Sequence, residues 1–307
     1  MRILILGAGA IGGYYGGRLA AAGRDITFLV RPARAAALAE KKLTISSPGG
    51  DVAISANTVT RDALKAAYDL VVLGCKAYDL ADAITAVGPA VGPGTTVLPL
   101  LNGLAHLETL DAAFGAEKVI GGCAHISVTL AKDGSILHFA KLDSLTFGER
   151  SGGSSARCEA IAAAFAGAGF RSVPSDNVMQ VMWEKFALIT AASGLTGAMR
   201  APIGAIMATR DGTRIANEMI AECEAVAAAS GVPVRPQAHT MATGLLTAAG
   251  SPFTASMLRD IEGGGEIECE HLQGDMIRRA EALGVATPVL AMAYCHLQAY
   301  RNRRAQG

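Results

Sequence analysis

The sequence predicts two halves of different class: an α/β domain with a mostly parallel sheet over residues 1–175, then an all-α domain over residues 176–307. Three observations carry this. Short β-branched and aliphatic runs alternate with helical patterns in the first half, as in βαβ units. A glycine turn, GAGAIG, joins the first run to the first helix. From about Asp176 onward the pattern is helical almost throughout. A chain of 307 residues, 51% of them hydrophobic, is long enough to build two cores.

Each element has a local reason. RILIL, DITFLV, DLVVLG and TTVLPLL are strand candidates, and the small-residue stretch from Gly12 to about Ala22 is a helix ended by Gly23. LTISS and DVAISA flank PGG and read as a hairpin. After Asn102, KVIGGCAHISVTL, SILHFA and DSLTFGE read as consecutive strands that extend the sheet in an antiparallel sense, with Asp133-Gly134 as a turn. The helical half is broken at SGLTGAMRAPIG, SGVPVRP and AAGSPF, and Gly284 stops the helix that contains RRAEAL. No repeat or low-complexity linker is present.

Composition excludes several classes. Lys plus Arg equals Asp plus Glu at 27 each, so net charge gives no reason to expect a nucleic acid or an acidic membrane surface as partner. No run of 18 apolar residues exists, and the apolar start is too short and glycine-broken for a signal peptide. The six cysteines form no CxxC and read as reduced thiols of a cytoplasmic protein. The six histidines have no metal-ligand spacing, so no metal site is expected.

The turn comprises Gly7, Ala8, Gly9, Ala10, Ile11 and Gly12, a G-x-G-x-x-G pattern. Such a pattern alone fits any tight turn. After a five-residue apolar strand and before a helix, it fits a Rossmann-type dinucleotide site, where glycines let a pyrophosphate approach backbone N–H groups. At the end of the second strand, where an acid would bond a ribose 2′-hydroxyl, stands Arg31, with Arg34 three residues later. A guanidinium grips a 2′-phosphate, so NADP(H) is favoured over NAD(H). The plainer reading is a surface arginine at a loop start.

VMWEKFALITAASGL reads as a helix that is apolar nearly all round, yet it contains Lys185 in a row with Val181, Leu188, Ile189 and Ala192. A lysine in such a row either snorkels to solvent or has a task. With a nicotinamide cofactor, that task is to stabilise the charge that hydride addition places on a ketone oxygen and to protonate it.

The chain resembles the ketopantoate reductase (2-dehydropantoate 2-reductase) family over nearly its whole length. The matching pieces are ILILGAGAIGGYYGGRLA, VVLGCKAYD around Lys76, LLNGL around Asn102, MWEKFA with Lys185, and SMLRDIEGGGEIE from Ser256 to Glu268. The resemblance implies a Rossmann domain followed by a helical domain, an active site in the cleft, and reduction of a 2-oxo acid by NADPH, as in pantothenate biosynthesis. It implies that Lys185 is the proton donor, that Asn102 and Lys76 lie on the cofactor side, and that Ser256 helps hold the substrate carboxylate. Glu268 is implied at the far end of the substrate or at the cofactor ribose, and Ser127, on a looser alignment, at the cofactor.

The residues themselves support part of this. Among the acids of EGGGEIECE, only Glu268 shares a helical row with Leu272 and Met276, so it is expected to point inward. Asn102 follows a strand, where ligands bind in such sheets, although a turn asparagine would look the same. Lys76 reads equally as a solvated loop lysine, and Ser256 as a residue of a helix N-cap region.

The sequence departs from the family pattern where better-known members carry asparagines four, eight and eighteen residues after the catalytic lysine. Those positions hold Ile189, Ser193 and Ile203. Ile189 and Ser193 follow Lys185 on its own helix face and are expected to line the same pocket, with Arg200 nearby as a substitute for lost polarity.

The expected function is NADPH-dependent reduction of a small 2-oxo acid, ketopantoate or a close relative. Two alternatives stay open: a D-2-hydroxy acid dehydrogenase of the mandelate type with a less polar substrate, and a non-catalytic NADP(H) sensor. The apolar helical half is compatible with a homodimer and does not require one.

Overall fold

The computed structural model describes residues 1–65 and 68–306, so Gly307, the last residue of the expected second domain, lies outside the described residues. The chain divides into two compact units, one from Met1–Leu101 with His106–Met179, the other from Asn102–Ala105 with Gln180–Gly307. The first is α/β and the second helical, as the sequence predicts.

The first unit holds two sheets. Strands β1 (Arg2–Leu6), β2 (Asp25–Leu29), β5 (Thr58–Val59), β6 (Leu70–Leu73) and β7 (Thr96–Pro99) form a parallel sheet in the order β5-β2-β1-β6-β7. Burial on both faces explains why its central strands read as unbroken apolar runs rather than alternating ones. The hairpin of β3 (Leu43–Ser46) and β4 (Val52–Ile54) forms as expected but belongs to a second sheet, with β8 (Gly121–Leu130), β9 (Ile136–Gly148) and β10 (Arg171–Pro174).

Here the structure corrects the sequence reading twice. SILHFA and DSLTFGE are one continuous 13-residue strand, β9. Apart from one parallel bridge from Val119 to Val97 of β7, the strands expected after Asn102 do not extend the parallel sheet. Instead β9 pairs antiparallel with β8 and parallel with β3 and β10. Helix α1 (Ala10–Ala21) explains how two sheets share one core. A Cβ at Gly16 would lie 2.6 Å from the Phe28 ring of β2, and one at Gly17 would lie 2.8 Å from Ile45 of β3. The small residues of α1 thus admit a sheet on either side, and Tyr14 and Tyr15 fill the space between as fully buried side chains.

The second unit is built round α6 (Val178–Met199), a 22-residue helix. The break expected at SGLTG is absent, because those residues remain helical to Met199. Tertiary packing outweighs the glycine penalty there: a Cβ at Gly194 would sit 2.8 Å from Met219 Sδ, and one at Gly197 would sit 3.0 Å from Leu297. The helix ends at Arg200, whose φ of 51° turns the chain. There follow α7 (Ile203–Met207), α8 (Gly212–Ala229), α9 (Pro236–Leu246), α10 (Ser256–Glu262), a π turn (Glu270–Gly274), α11 (Asp275–Leu283) and α12 (Pro288–Gln306). Gly284 adopts the left-handed conformation after α11, as expected of a glycine stop.

The N-terminus of α12 is capped from a distance. Glu222 of α8 accepts hydrogen bonds from Val289 N at 2.9 Å and Leu290 N at 2.8 Å. A carboxylate on two orphan N–H groups at the positive end of a helix is favoured twice over. Glu222→Ala is therefore expected to destabilise the chain by about 0.5–2 kcal/mol, the range of a lost N-cap. Urea unfolding checks this; an unchanged midpoint would show that solvent caps α12 equally well.

Among the described residues no helix is long and apolar enough to cross a membrane, and no group of three His, Cys, Asp or Glu could hold a metal ion. All six cysteines are free thiols.

Candidate active site

In the first unit the glycine turn has the shape a dinucleotide needs. Gly7 has a φ of 83°, open to glycine and strained for other residues. A Cβ at Gly12 would lie 2.4 Å from Gly7 O, whereas Gly9 has nothing within 4 Å of its Cβ position. The turn is therefore closed toward the sheet and open on its outer side. Gly9 is the N-cap of α1 and supplies no side chain to the first-turn N–H groups. Ala8, Ala10 and Ile11 complete the turn, whose N–H groups at the positive end of α1 suit a pyrophosphate.

Arg31 lies just past β2 as the N-cap of α2 (Pro32–Glu40), with its side chain 77% exposed. Two carboxylates face it, Asp79 at 3.7 Å and Asp82 at 3.8 Å. Exposed pairs of this length are worth only about 0–1 kcal/mol, so they leave the guanidinium available to a phosphate. Arg34 has a different role. Its Nη2 donates to Ala8 O and to Gly134 O, each at 3.0 Å, which ties the glycine turn to the β8–β9 hairpin. Burial holds its pKa below the usual arginine value. Lys76, half-buried, follows β6 as the N-cap of a short 3-10 turn. Ser127, half-buried, falls at the register shift of β8 between Ile126 and Val128.

In the second unit three distant stretches converge: Asn102–Ala105, the middle of α6, and the segment Glu268–Gly274. The Asn102 backbone hydrogen-bonds His271. Gly103, with a φ of 81°, packs so closely that its Cβ position lies 3.0 Å from His271 O. Gln273 Nε2 donates to Thr190 O at 3.0 Å and to Ser193 Oγ at 2.7 Å. Thus the Glu268–Gly274 segment touches both the Asn102 turn and α6.

Glu268 is 7% exposed, whereas Glu262 and Glu270 of the same run are exposed. The expected inward direction holds, but not by α-helical phase. Glu268 lies in an irregular stretch just before the π turn, whose Gly274 N–H reaches back five residues to Cys269 O. Lys185 is half-buried on α6, and so is Ile189 one turn beyond. Ser193 differs from expectation. It is only 3% exposed, its hydroxyl donates to Ile189 O at 2.6 Å, and it accepts from Gln273. Mid-helix serines commonly bond the carbonyl four residues back, which turns this one away from open space. Ile203 is fully buried in the core, and its N–H donates to Phe253 O. Arg200 is exposed, with its guanidinium 5.2 Å from the centre of the Tyr300 ring, so its charge is held by an aromatic face of α12. Ser256 is the exposed first residue of α10, with Ala255 as the N-cap.

His271 and Gln273 escaped the sequence reading. A histidine and a glutamine in a charged run read as solvated, and only the π turn makes Gln273 a buried donor to α6. His271 is held below the usual histidine pKa by burial, which outweighs the opposing pull of the Glu268 and Asp275 carboxylates and the Asn102 backbone. Near neutral pH it is therefore an uncharged neighbour of Glu268.

Comparison with known proteins agrees with both halves. Residues 3–152 match the model of the ketopantoate reductase PanE/ApbA family, and residues 177–301 match the model of its C-terminal domain. The chain belongs to the ketopantoate reductase family. A curated relative, the uncharacterized oxidoreductase YkpB of Bacillus subtilis, is 36% identical over 99% of this chain and 100% of its own length. The 2-dehydropantoate 2-reductase of Halobacterium salinarum is 29% identical over 94% of this chain and 95% of its own. Among solved structures, a PanE/ApbA family ketopantoate reductase from Ralstonia eutropha superposes with a TM-score of 0.89 at 26% identity, covering 99% of this chain and 100% of that one. The chain is thus an oxidoreductase of this family.

Proposed function

We propose that the protein reduces a 2-oxo acid to the 2-hydroxy acid with NADPH, with Lys185 and Glu268 as the catalytic pair. The observation that carries this is the convergence of the Asn102 turn, α6 at Thr190 and Ser193, and the segment that buries Glu268, all in the unit that also carries Lys185. A protein that only sensed NADP(H) would need the glycine turn and Arg31 but not this assembly.

The residues of the first unit fit a nicotinamide dinucleotide. Gly7–Gly12 would take the pyrophosphate, Arg31 the 2′-phosphate, and Lys76 and Ser127 the remainder. When bound in its reduced form, that cofactor supplies a hydride to the carbonyl carbon of the substrate. As the C=O π electrons move onto oxygen, the Lys185 ammonium stabilises the charge and passes one proton to that oxygen. Lys185 then regains its proton from solvent. Glu268, acceptor-only when ionised, orients a hydroxyl or ammonium group by accepting its hydrogen bond. Ser256 supplies a hydroxyl for the substrate carboxylate.

The Halobacterium salinarum relative is named a 2-dehydropantoate 2-reductase, and turnover of a 2-oxo acid panel, followed by NADPH consumption and by chromatography of the hydroxy acid, tests the proposal. The position of Ser193 favours a second reading alongside it. With Ile189 in place of an amide and the Ser193 hydroxyl engaged inside the fold, neither side chain is left to bond a substrate hydroxyl, which favours less polar 2-oxo acids.

Cofactor choice gives a separate test. Replacing Arg31 with Ala is expected to weaken NADPH by roughly 10- to 150-fold, the equivalent of a charge-assisted contact of about 1.5–3 kcal/mol, and to leave NADH nearly unchanged. Fluorescence titration of both cofactors checks it. Equal losses for the two would mean that Asp79 and Asp82, not a phosphate, are the partners Arg31 serves.

A further inference from the structure

Glu268 stands in a stretch with little rigidity of its own. It follows Gly263, Gly264 and Gly265, of which Gly264 has a φ of 69°, and it precedes a π turn. Glycines lose more conformational freedom on ordering than any other residue, so something outside the stretch must hold it.

One face of α12 supplies the hold. Arg301 Nε donates to Glu266 Oε1 at 3.0 Å and Arg301 Nη1 to Glu270 Oε1 at 2.8 Å, so a single guanidinium grips the acids two residues before and two after Glu268. Tyr294 OH donates to Glu270 Oε2, and Gln298 Nε2 reaches Glu270 Oε1 at 3.3 Å. Tyr294, Gln298 and Arg301 are spaced i, i+4, i+7, one row of the helix. Beside that row, Tyr300 OH donates to Gly265 O at 2.7 Å, and Arg304 donates to Gly264 O at 2.9 Å and to Glu266 Oε2 at 2.7 Å. The flanking acids thus turn toward α12, whereas Glu268 is buried.

We propose that Arg301 is a positioning residue for Glu268: by gripping Glu266 and Glu270 together it fixes the intervening stretch and keeps the Glu268 carboxylate inward. This rests on the proposed role of Glu268 in the reaction. A lysine could not replace Arg301 fully, because its point charge lacks the planar fork that reaches two carboxylates at once.

The test is a double-mutant cycle on the full-length protein, read as kcat/KM for the best 2-oxo acid with NADPH. Arg301→Ala is expected to lower it by about 10- to 10²-fold, the scale of a small misplacement of a reacting group. In a Glu268→Gln background, the same change is expected to cost less than about twofold, because the carboxylate it positions is already gone. Hydrogen exchange of the Gly264–Glu270 amides should quicken in Arg301→Ala. Arg301→Lys should restore part of the activity, and it carries the same cycle if the alanine variant does not fold. Losses that multiply across the cycle, or unchanged exchange in the segment, overturn the proposal while leaving the role of Glu268 standing. Wild-type kinetics in Glu268→Gln alone overturn the underlying role and the proposal with it.

Discussion

Replacing Lys185 with Ala is expected to lower kcat by about 10²–10⁴, the usual range for a lost general acid, with little change in NADPH affinity. Lys185 is half-buried in an otherwise apolar row of α6, beside Ile189, in the unit that also buries Glu268. Its ammonium costs little to hold there if it meets solvent, and it gains most where charge develops on a substrate oxygen. The Trp183 and Phe186 rings pack against one another, and Arg279 lies over Trp183, so the helix that carries Lys185 is fixed from its other side. The alanine variant should therefore fold. Stopped-flow reduction and equilibrium cofactor titration separate the chemical step from binding. A variant with near-normal turnover would return Lys185 to the role of a snorkelling side chain.

The second large effect concerns the substrate. Branched or aromatic 2-oxo acids that lack a terminal hydroxyl are expected to reach kcat/KM values within about 10²-fold of ketopantoate, or above it. A site built to hydrogen-bond a hydroxyl rejects the analogue without it by about 10⁴–10⁵, because its buried polar groups are left unpaired; an apolar site discriminates by only about 10². The α6 face presents Ile189, which has neither donor nor acceptor in its side chain. Ser193, the nearest hydroxyl on that face, donates to its own helix and accepts from Gln273. Arg200, the other candidate for restored polarity, lies on Tyr300 at the surface. Comparison of ketopantoate with 2-oxoisovalerate and phenylpyruvate at saturating NADPH decides the matter. A preference for ketopantoate above about a thousandfold would mean that another group has replaced the missing amides.

The parallel sheet and the glycine turn were legible because each depends on a few adjacent residues: an apolar run, then GAGAIG, then a helix. The inward direction of Glu268 was also legible, although the structure supplies a different cause, an irregular stretch and a π turn. What the sequence hid depends on distant partners. β9 looked like two strands because Lys141 and Leu142 read as a break, yet they lie within one strand, and pairing with β8 resumes on either side of them across a register shift. Gly194 and Gly197 looked like a helix end until Met219 and Leu297 gave them a packing role. Ser193 has the right phase to line a pocket, but an intrahelical bond and Gln273 draw it into the core. The grip of Arg301 on Glu266 and Glu270 joins residues about thirty positions apart and leaves no local pattern.

The central claim is that this chain moves a hydride from NADPH to the 2-carbon of an oxo acid while Lys185 protonates the oxygen. The most direct measurement uses NADPH deuterated at the transferable C4 position, mixed with a 2-oxo acid and the protein, with the product examined by mass spectrometry and NMR. The account predicts a 2-hydroxy acid with one deuterium on C2, formed in equal amount to the NADP⁺ released and nearly abolished in Lys185→Ala. A protein that binds the cofactor but forms no deuterated hydroxy acid from any 2-oxo acid would contradict it.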